Sequence, residues 1–174
     1  SLGAEIVVFP EYFCLEMASW QPDSVRGDFA ASLAALQEAW PHWQQWYQGF
    51  ARQFKLWICA GTFLLATGDG RYLNRALLVS PEGKIFWQDK LQLTGFEKNS
   101  QIIAPGKELK VWETSGLHTG IAVCYDCEFP LQVRAQREAG AQLLLVPSCT
   151  DTAAGASRVR TGCLARALEN RMLV

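Results

Sequence analysis

The chain has 174 residues, of which 49% are apolar and 19% are charged, a balance typical of a globular protein with a full hydrophobic core. Its formal net charge of −1 argues against a nucleic-acid partner, and no apolar run approaches the roughly 20 residues that a membrane-spanning helix needs. Six cysteines are too few for a disulfide scaffold, and several lie in apolar runs, which favours a reduced, cytoplasmic protein.

The first predicted elements are a strand and a helical region. The stretch AEIVVF (4–9) is a short apolar run that stops at Pro10, as a buried strand does before a turn. Residues 28–54 repeat apolar side chains at helical spacing on both sides of Pro41, which predicts two helices, or one kinked at that proline. We expect the aromatic stripe of this region to pack in the core.

The middle of the chain predicts a β-meander followed by a long loop. Turn sequences GDG and PEG separate three apolar runs, LWICAGTFLLAT (56–67), YLNRALLVSP (72–81) and GKIFWQDK (83–90). The next stretch, LTGFEKNSQIIAPGKEL (93–109), predicts a loop without secondary structure of its own.

The last part of the chain alternates strands and helices. Its predicted strands are LKVWET (109–114), HTGIAVCYD (118–126), AQLLLVPS (141–148) and the start of another at MLV (172–174), and its predicted helices are FPLQVRAQREAG (129–140) and ASRVRTGCLARALENR (156–171). This order indicates an α/β protein with a buried mixed sheet. Because strands open close to both ends of the chain, we expect it to be part of a longer domain.

Cys124 is the first candidate functional residue, since it follows a buried strand just before a turn into a helix. Ligands bind at such strand ends in open α/β sheets, and backbone N–H groups there stabilise a thiolate or an oxyanion. A free cysteine in a strand is also often only a small buried apolar residue. A third reading pairs Cys124 with Cys127 in a metal or redox site, although no second Cys or His pair accompanies them.

A cysteine nucleophile needs a base, and the two histidines fit poorly. His42 lies within a predicted helix, and His118 lies roughly 20 Å from Cys124 along the same predicted strand. Glu11 instead follows the end of the first strand among apolar and aromatic neighbours, and a carboxylate can accept a thiol proton. Lys90 ends another strand, where an ammonium can lower a thiol pKa or hold an oxyanion. Solvated surface roles are the alternatives for both.

Five motifs occur in a characteristic order along the chain: VVFPEYF, DKLQL, GIAVCYDCEFP, REAGAQLLLVPSC (137–149) and ARALEN (165–170). In this order they resemble the motifs of the nitrilase superfamily of carbon–nitrogen hydrolases. The superfamily uses a Glu–Lys–Cys catalytic triad, which implies Glu11, Lys90 and Cys124 here. The lysine motif usually reads K-x-H-L, and Gln92 replaces its histidine.

The resemblance also implies a fold, supporting residues and partners. We expect residues 1–174 to form one carbon–nitrogen hydrolase domain, an αββα sandwich that is incomplete at both ends, in a homodimer or higher homo-oligomer. Glu97 corresponds to a second glutamate of the superfamily, and the backbone N–H of Tyr125 would help to hold the oxyanion. No metal or organic cofactor is expected.

The activity that the resemblance implies is thiol-dependent hydrolysis of a non-peptide C–N bond. The substrate would be a small-molecule amide, with a nitrile or carbamoyl compound as the alternatives, and a Cys thioester would form as the acyl-enzyme. The alternative to an enzyme is a non-catalytic interaction or scaffold module that keeps the sandwich. We also expect Asp126 to cap a helix or pair with Arg134, and Arg166 to pair with Glu169.

Overall fold

A computed structural model, which describes residues 3–174, places two β-sheets face to face. Residues 1 and 2 of the predicted domain lie outside the described residues. The first sheet has the spatial order β1 (Ile6–Val8), β2 (Trp57–Ala66), β3 (Tyr72–Val79) and β4 (Ile85–Asp89), with β5 (Ile103–Ala104) also paired to β3. The second sheet has the order β6 (Val111–Thr114), β7 (Leu117–Ile121) and β8 (Leu143–Leu145). Each sheet contains parallel and antiparallel pairs, as predicted.

Helices cover the outer face of each sheet. The α-helices of residues 3–174 are α1 (Asp23–Arg26), α2 (Phe29–Leu36), α3 (Trp40–Phe54), α4 (Gly95–Ser100), α5 (Pro130–Glu138) and α6 (Ala153–Asn170). Buried side chains of α2 and α3 pack on the first sheet, and those of α5 and its surroundings pack on the second. Within the described range 3–174, no helix is both long and apolar enough to span a bilayer.

The space between the sheets forms a separate apolar layer. Cys59 and Leu78 of the first sheet meet Ile121 and Leu145 of the second, and all four side chains are buried. Side chains of both sheets alternate between this layer and the helical layers, because successive residues of a strand point to opposite faces. The four layers confirm the predicted αββα sandwich.

Two stretches differ from the prediction. The expected loop at 93–109 contains α4 and β5, and α4 begins at a capping box in which Thr94 and Glu97 bond to each other's backbone N–H groups. The stretch between Pro10 and α2, for which no element was predicted, holds a 3-10 helix at Phe13–Trp20 as well as α1.

Several boundaries also shift. Pro41 does not kink a helix but lies in the first turn of α3, where its missing N–H is not needed. Residues 28–54 therefore hold two α-helices, α2 and α3, which the 3-10 turn Gln37–Ala39 joins. The strand before Cys124 ends at Ile121, and Cys124 begins a short 3-10 helix, Cys124–Glu128. The predicted last strand is reduced to one parallel bridge, between Leu143 and Leu173.

Gly61 fixes the path of the segment that follows β1. It has φ +67° at an irregularity in the pairing of β2 with β3, and a Cβ there would overlap the carbonyl oxygen of Pro10. On either side of that contact, the backbone N–H of Phe9 donates to the Cys59 carbonyl (2.8 Å) and that of Tyr12 donates to Thr62 Oγ1 (2.8 Å). The segment that carries Glu11 is therefore held against β2 at its backbone.

Replacing Gly61 with Ala should therefore destabilise the protein and displace Glu11. The added Cβ meets backbone in a left-handed conformation, so we expect a loss of about 1–3 kcal/mol in the free energy of unfolding. Urea unfolding followed by fluorescence measures it.

The matched control is Gly49→Ala. Gly49 lies on the exposed side of α3, where an added Cβ would meet open space, so the same change should add about 0.5–1 kcal/mol of stability there. Equal effects of the two substitutions would contradict the role given to Gly61.

Candidate active site

Glu11 lies just past the end of β1 and is only 2% exposed. Its Oε1 accepts hydrogen bonds from Lys90 Nζ (2.8 Å) and from Asn74 Nδ2 (2.9 Å). Tyr12 follows in a left-handed conformation, φ 59°, and the 3-10 helix Phe13–Trp20 begins directly after it. The predicted base is thus a buried carboxylate that accepts two hydrogen bonds.

Lys90 follows the last residue of β4 and is 1% exposed. Its Nζ lies 2.8 Å from Glu11 Oε1 and 2.8 Å from Glu97 Oε2, so one ammonium is held between two carboxylates. Burial disfavours the charged form, but the two carboxylates outweigh it and raise the pKa of Lys90. The ammonium therefore stays charged in a site that is nearly closed to water.

Glu97 lies in the first turn of α4 and is fully buried. Its Oε1 accepts from the Tyr12 hydroxyl (2.5 Å) and from Asn74 Nδ2 (3.0 Å), in addition to the contact with Lys90. Burial works against its charge, but the Lys90 ammonium lowers the pKa of this carboxyl below its usual range. Glu97 is thus a second counter-ion of Lys90, and it lies on the side of Lys90 that faces away from the cavity.

Cys124 has a strained backbone at the turn that follows β7. Its φ is 48°, a left-handed conformation that costs an L-residue on the order of 1 kcal/mol or more. Its N–H donates to the Pro147 carbonyl (3.0 Å), and its Sγ lies 3.6 Å from the Cys149 carbonyl oxygen. These contacts tie the turn to the segment after β8.

The thiol of Cys124 is protonated at neutral pH. Burial and the negative charge of the nearby Glu11 carboxylate raise its pKa to about 12. We expected Lys90 to lower this pKa; the ammonium does act in that direction, but burial and Glu11 have larger effects. A nucleophilic role for this thiol would therefore need a base, and the Glu11 carboxylate lines the same cavity as the thiol.

A cavity of about 550 Å³ opens beside these groups. Glu11, Lys90, Cys124 and Tyr125 all line it, whereas Glu97 contacts Lys90 from behind and does not. The structure thus brings the three predicted triad residues to one cavity from three separate elements. Both histidines are exposed elsewhere on the surface.

Two buried polar residues of the site were not predicted for the roles they have. Asn74, in β3, donates from one amide group to both Glu11 and Glu97, and a lone asparagine in the apolar run YLNRALLV is the signal that could have found it. Asp126 accepts from the backbone N–H groups of Gln92 (2.7 Å) and Val123 (3.0 Å).

Asp126 therefore joins the turn of the candidate nucleophile to the segment after Lys90. It also accepts from the N–H of Leu91 (3.1 Å), while Arg134 pairs with Glu138 instead, contrary to one of the expectations above. Burial raises the pKa of Asp126 to about 6, although these donors favour its charged form.

Cys127 points away from the cavity, toward α6. Its Sγ lies 3.6 Å from the Val159 carbonyl oxygen, and its own carbonyl accepts from Arg166 Nη1 (3.1 Å). Arg166 also pairs with Glu169 as expected, at 2.8 Å. The cysteines are all free thiols, and no cluster of three or more potential metal ligands occurs among residues 3–174.

Comparison with known proteins places the chain in a family. The sequence profile of the carbon–nitrogen hydrolases matches residues 1–174. The chain belongs to the carbon–nitrogen hydrolase family. Within the family, it is 29% identical over 171 residues to the probable hydrolase YhcX of Bacillus subtilis (strain 168), and 36% identical over 117 residues to the omega-amidase YafV of Yersinia enterocolitica.

Carbon–nitrogen hydrolases of known structure share the fold. An amidase from Nesterenkonia sp. superposes with a TM-score of 0.69 at 25% identity, and the match covers 98% of this chain and 61% of that one. The matches to YhcX and YafV cover 97% and 67% of this chain but only 32% and 44% of those proteins. The chain thus spans less than two thirds of each of these relatives.

Replacing Lys90 with Met should destabilise the protein strongly at pH 7. Two buried carboxylates would lose their common counter-ion, which typically costs about 3–5 kcal/mol. Without the ammonium, the pKa of Glu97 would rise above its value in the unfolded chain, so the variant should regain stability as the pH falls. Urea unfolding at pH 7 and pH 5 measures both effects.

Lys84→Met is the control for that substitution, because Lys84 is exposed just before β4. Its free energy of unfolding should change by no more than about 0.5 kcal/mol at either pH. A loss in Lys90→Met that does not shrink at pH 5 would contradict the ion-pair argument.

Glu11→Gln should lower the pKa of the Cys124 thiol from about 12 toward its ordinary value, because the carboxylate is the main charge that raises it. The pH dependence of Cys124 alkylation by iodoacetamide, followed by peptide mass spectrometry, measures this pKa. Glu16→Gln, a charge change in the 3-10 helix Phe13–Trp20, should leave it unchanged. A Glu11→Gln profile equal to that of the wild type would contradict the effect of the Glu11 charge on the thiol.

Proposed function

We propose that the protein is an amidase that hydrolyses small-molecule amides through a thioester on Cys124. The observation that carries the proposal is that a strained, buried thiol, the Glu11 carboxylate and the Lys90 ammonium all line the wall of one cavity. A nucleophile, a base beside it and a fixed positive charge are the groups that acyl transfer requires.

In the first step, Glu11 accepts the proton of Cys124 as Sγ attacks the amide carbonyl carbon. A C–S bond forms, and the electron pair of the C=O bond moves to the oxygen. Lys90 Nζ and the backbone N–H of Tyr125 would stabilise this oxyanion, a contribution typically of about 100- to 1,000-fold in rate per donor.

In the second step, the tetrahedral intermediate collapses. The C–N bond breaks as protonated Glu11 gives its proton to the leaving nitrogen, so that ammonia or an amine departs and a thioester remains. Glu11 then accepts a proton from water, whose oxygen attacks the thioester, and the proton returns to Sγ as the acid leaves. One amide and one water give one acid and one amine.

The relatives favour amides over nitriles and carbamoyl compounds as substrates. Two relatives from Yersinia enterocolitica are named as amidases: an omega-amidase, which is 36% identical to this chain, and a deaminated glutathione amidase, which is 28% identical. The same thiol chemistry would apply to a nitrile carbon or a carbamoyl group, so these remain secondary candidates.

The buried charges argue against the non-catalytic alternative. A lysine and two glutamates that are each at most 2% exposed cost desolvation free energy that an apolar core would avoid. A module used only for its outer surface would gain nothing from them, whereas a hydrolase needs a charged group and a base at the wall of its substrate cavity.

We also keep four proposals from the sequence: one domain over residues 1–174, a cytoplasmic location, no cofactor, and a homodimer or higher homo-oligomer. Exposed leucines on α5 and α6 support the last of these, since Leu131 is 84% and Leu168 is 81% exposed. Side chains of this size are usually covered in an assembly when several lie together.

Substituting Cys124 tests the proposal. In the full-length protein, Cys124→Ala should reduce ammonia release from a panel of small amides by about 1,000-fold or more, because the covalent route is lost. The wild type should gain the mass of an acyl group when a turnover is quenched with acid, and the variant should not.

Cys163→Ala is the control, because it removes a half-buried thiol of α6 that does not line the cavity. We expect it to keep the wild-type rate and the acyl adduct. Turnover that survives in Cys124→Ala would refute the proposal.

A further inference from the structure

The cavity beside Cys124 carries more negative charge than the proposed reaction uses. Besides Glu11, the carboxylates of Glu128 and Asp151 line it. Asp151 is exposed at the mouth, in the turn before α6, and no basic side chain of residues 3–174 lies within ion-pair distance of it. Its charge is therefore free to act on a molecule that enters.

Both cations of the cavity wall are already paired. Lys90 is held by Glu11 and Glu97, and Arg158 lies 3.3 Å from Glu128. In and around the cavity there are thus four carboxylates but only two cations. The carboxylates are those of Glu11, Glu97, Glu128 and Asp151. Since field lines concentrate in a low-dielectric cleft, this excess gives the cavity a negative potential that disfavours anionic substrates.

The carboxylates that line the cavity come from separate segments of the chain. Glu11 follows β1, Glu128 ends the 3-10 helix after Cys124, and Asp151 precedes α6. The negative charge is therefore not confined to one loop. Burial and this negative charge together raise the pKa of Cys149, which also lines the cavity.

Aromatic rings complete the wall on which a cation could rest. Tyr12, Phe96 and Tyr125 line the cavity, and two protein cations already lie over such rings, Lys90 Nζ at 5.9 Å from the Tyr12 centroid and Arg158 Cζ at 5.9 Å from that of Tyr125. Phe96 is 61% exposed and has no cation over it among the described residues. An ammonium near both Phe96 and Asp151 would gain a cation–π contact and an ion pair.

We infer that the cavity selects amides that carry a protonated amine a few bonds away from the scissile carbonyl, with Asp151 as the group that determines this specificity. The inference rests on the proposed function, because it concerns the substrate of the same site. The amine would lie toward the mouth of the cavity, where Asp151 is, and the amide carbonyl would lie at Cys124. A substrate carboxylate would instead have to displace Glu128 from Arg158.

Three amides of equal chain length test the inference in the full-length protein: 5-aminopentanamide, pentanamide and the monoamide of glutaric acid, which are cationic, neutral and anionic at pH 7. We expect kcat/KM to be about tenfold or more higher for the cationic than for the anionic amide. The preference for the cationic over the neutral amide should shrink as salt is added.

Asp151→Asn should reduce the ratio of kcat/KM between the cationic and the neutral amide by about two- to fivefold. Glu113→Gln removes one negative charge from an exposed position of β6 outside the cavity, and this ratio should not change. The inference is overturned if the neutral or the anionic amide is preferred, or if both variants change the ratio equally. Hydrolysis of none of the three would instead overturn the proposed function, and this inference with it.

Discussion

The structure around the cavity depends on one buried ammonium. Lys90 can remain charged away from water only because two carboxylates lie within 2.8 Å of its Nζ, and those carboxylates come from the end of β1 and from the first turn of α4. The end of β1 must therefore meet the connection from β4 to α4, which lies 79 residues further along the chain at Lys90, within a few ångströms before the charge is tolerated. Such a network adds little net stability, and it requires each segment to take a unique position.

Backbone contacts around the network place the candidate nucleophile. Gly61 allows the segment before Glu11 to approach β2, and Asp126 links the turn at Cys124 to the chain that leaves Lys90. The left-handed conformation of Cys124 is maintained because its N–H bonds to the Pro147 carbonyl and its neighbours are held on both sides. The sandwich thus supplies a frame, and a few polar contacts at its edge orient the candidate catalytic side chains.

Local patterns in the sequence predicted most of the strands and helices and an α/β protein with a mixed sheet, since apolar runs such as those of β2 and β3 indicated buried strands. The αββα sandwich, and the expectation that Glu11, Lys90 and Cys124 would meet, came from the family resemblance. The pattern did not reveal α4, because its six residues are too few for a periodic signal and its capping box lies in a stretch rich in loop residues. Nor could it predict the partners of Asp126, which come from a segment 34 and 35 residues away, or the sign of the net pKa shift at Cys124, which depends on the distance to Glu11 and on burial.

The second carboxylate on Lys90 has a consequence for the catalytic cycle proposed for this site. Glu11 would carry a proton for part of every turnover, and during that time it is neutral. Glu97 has its pKa lowered and does not exchange protons in the proposed steps, so it would keep neutralising the ammonium throughout. Glu11 could therefore gain and lose a proton while Lys90 keeps one negatively charged partner, Glu97. The electrostatic environment of the substrate's carbonyl oxygen would then stay nearly constant from one half-reaction to the other.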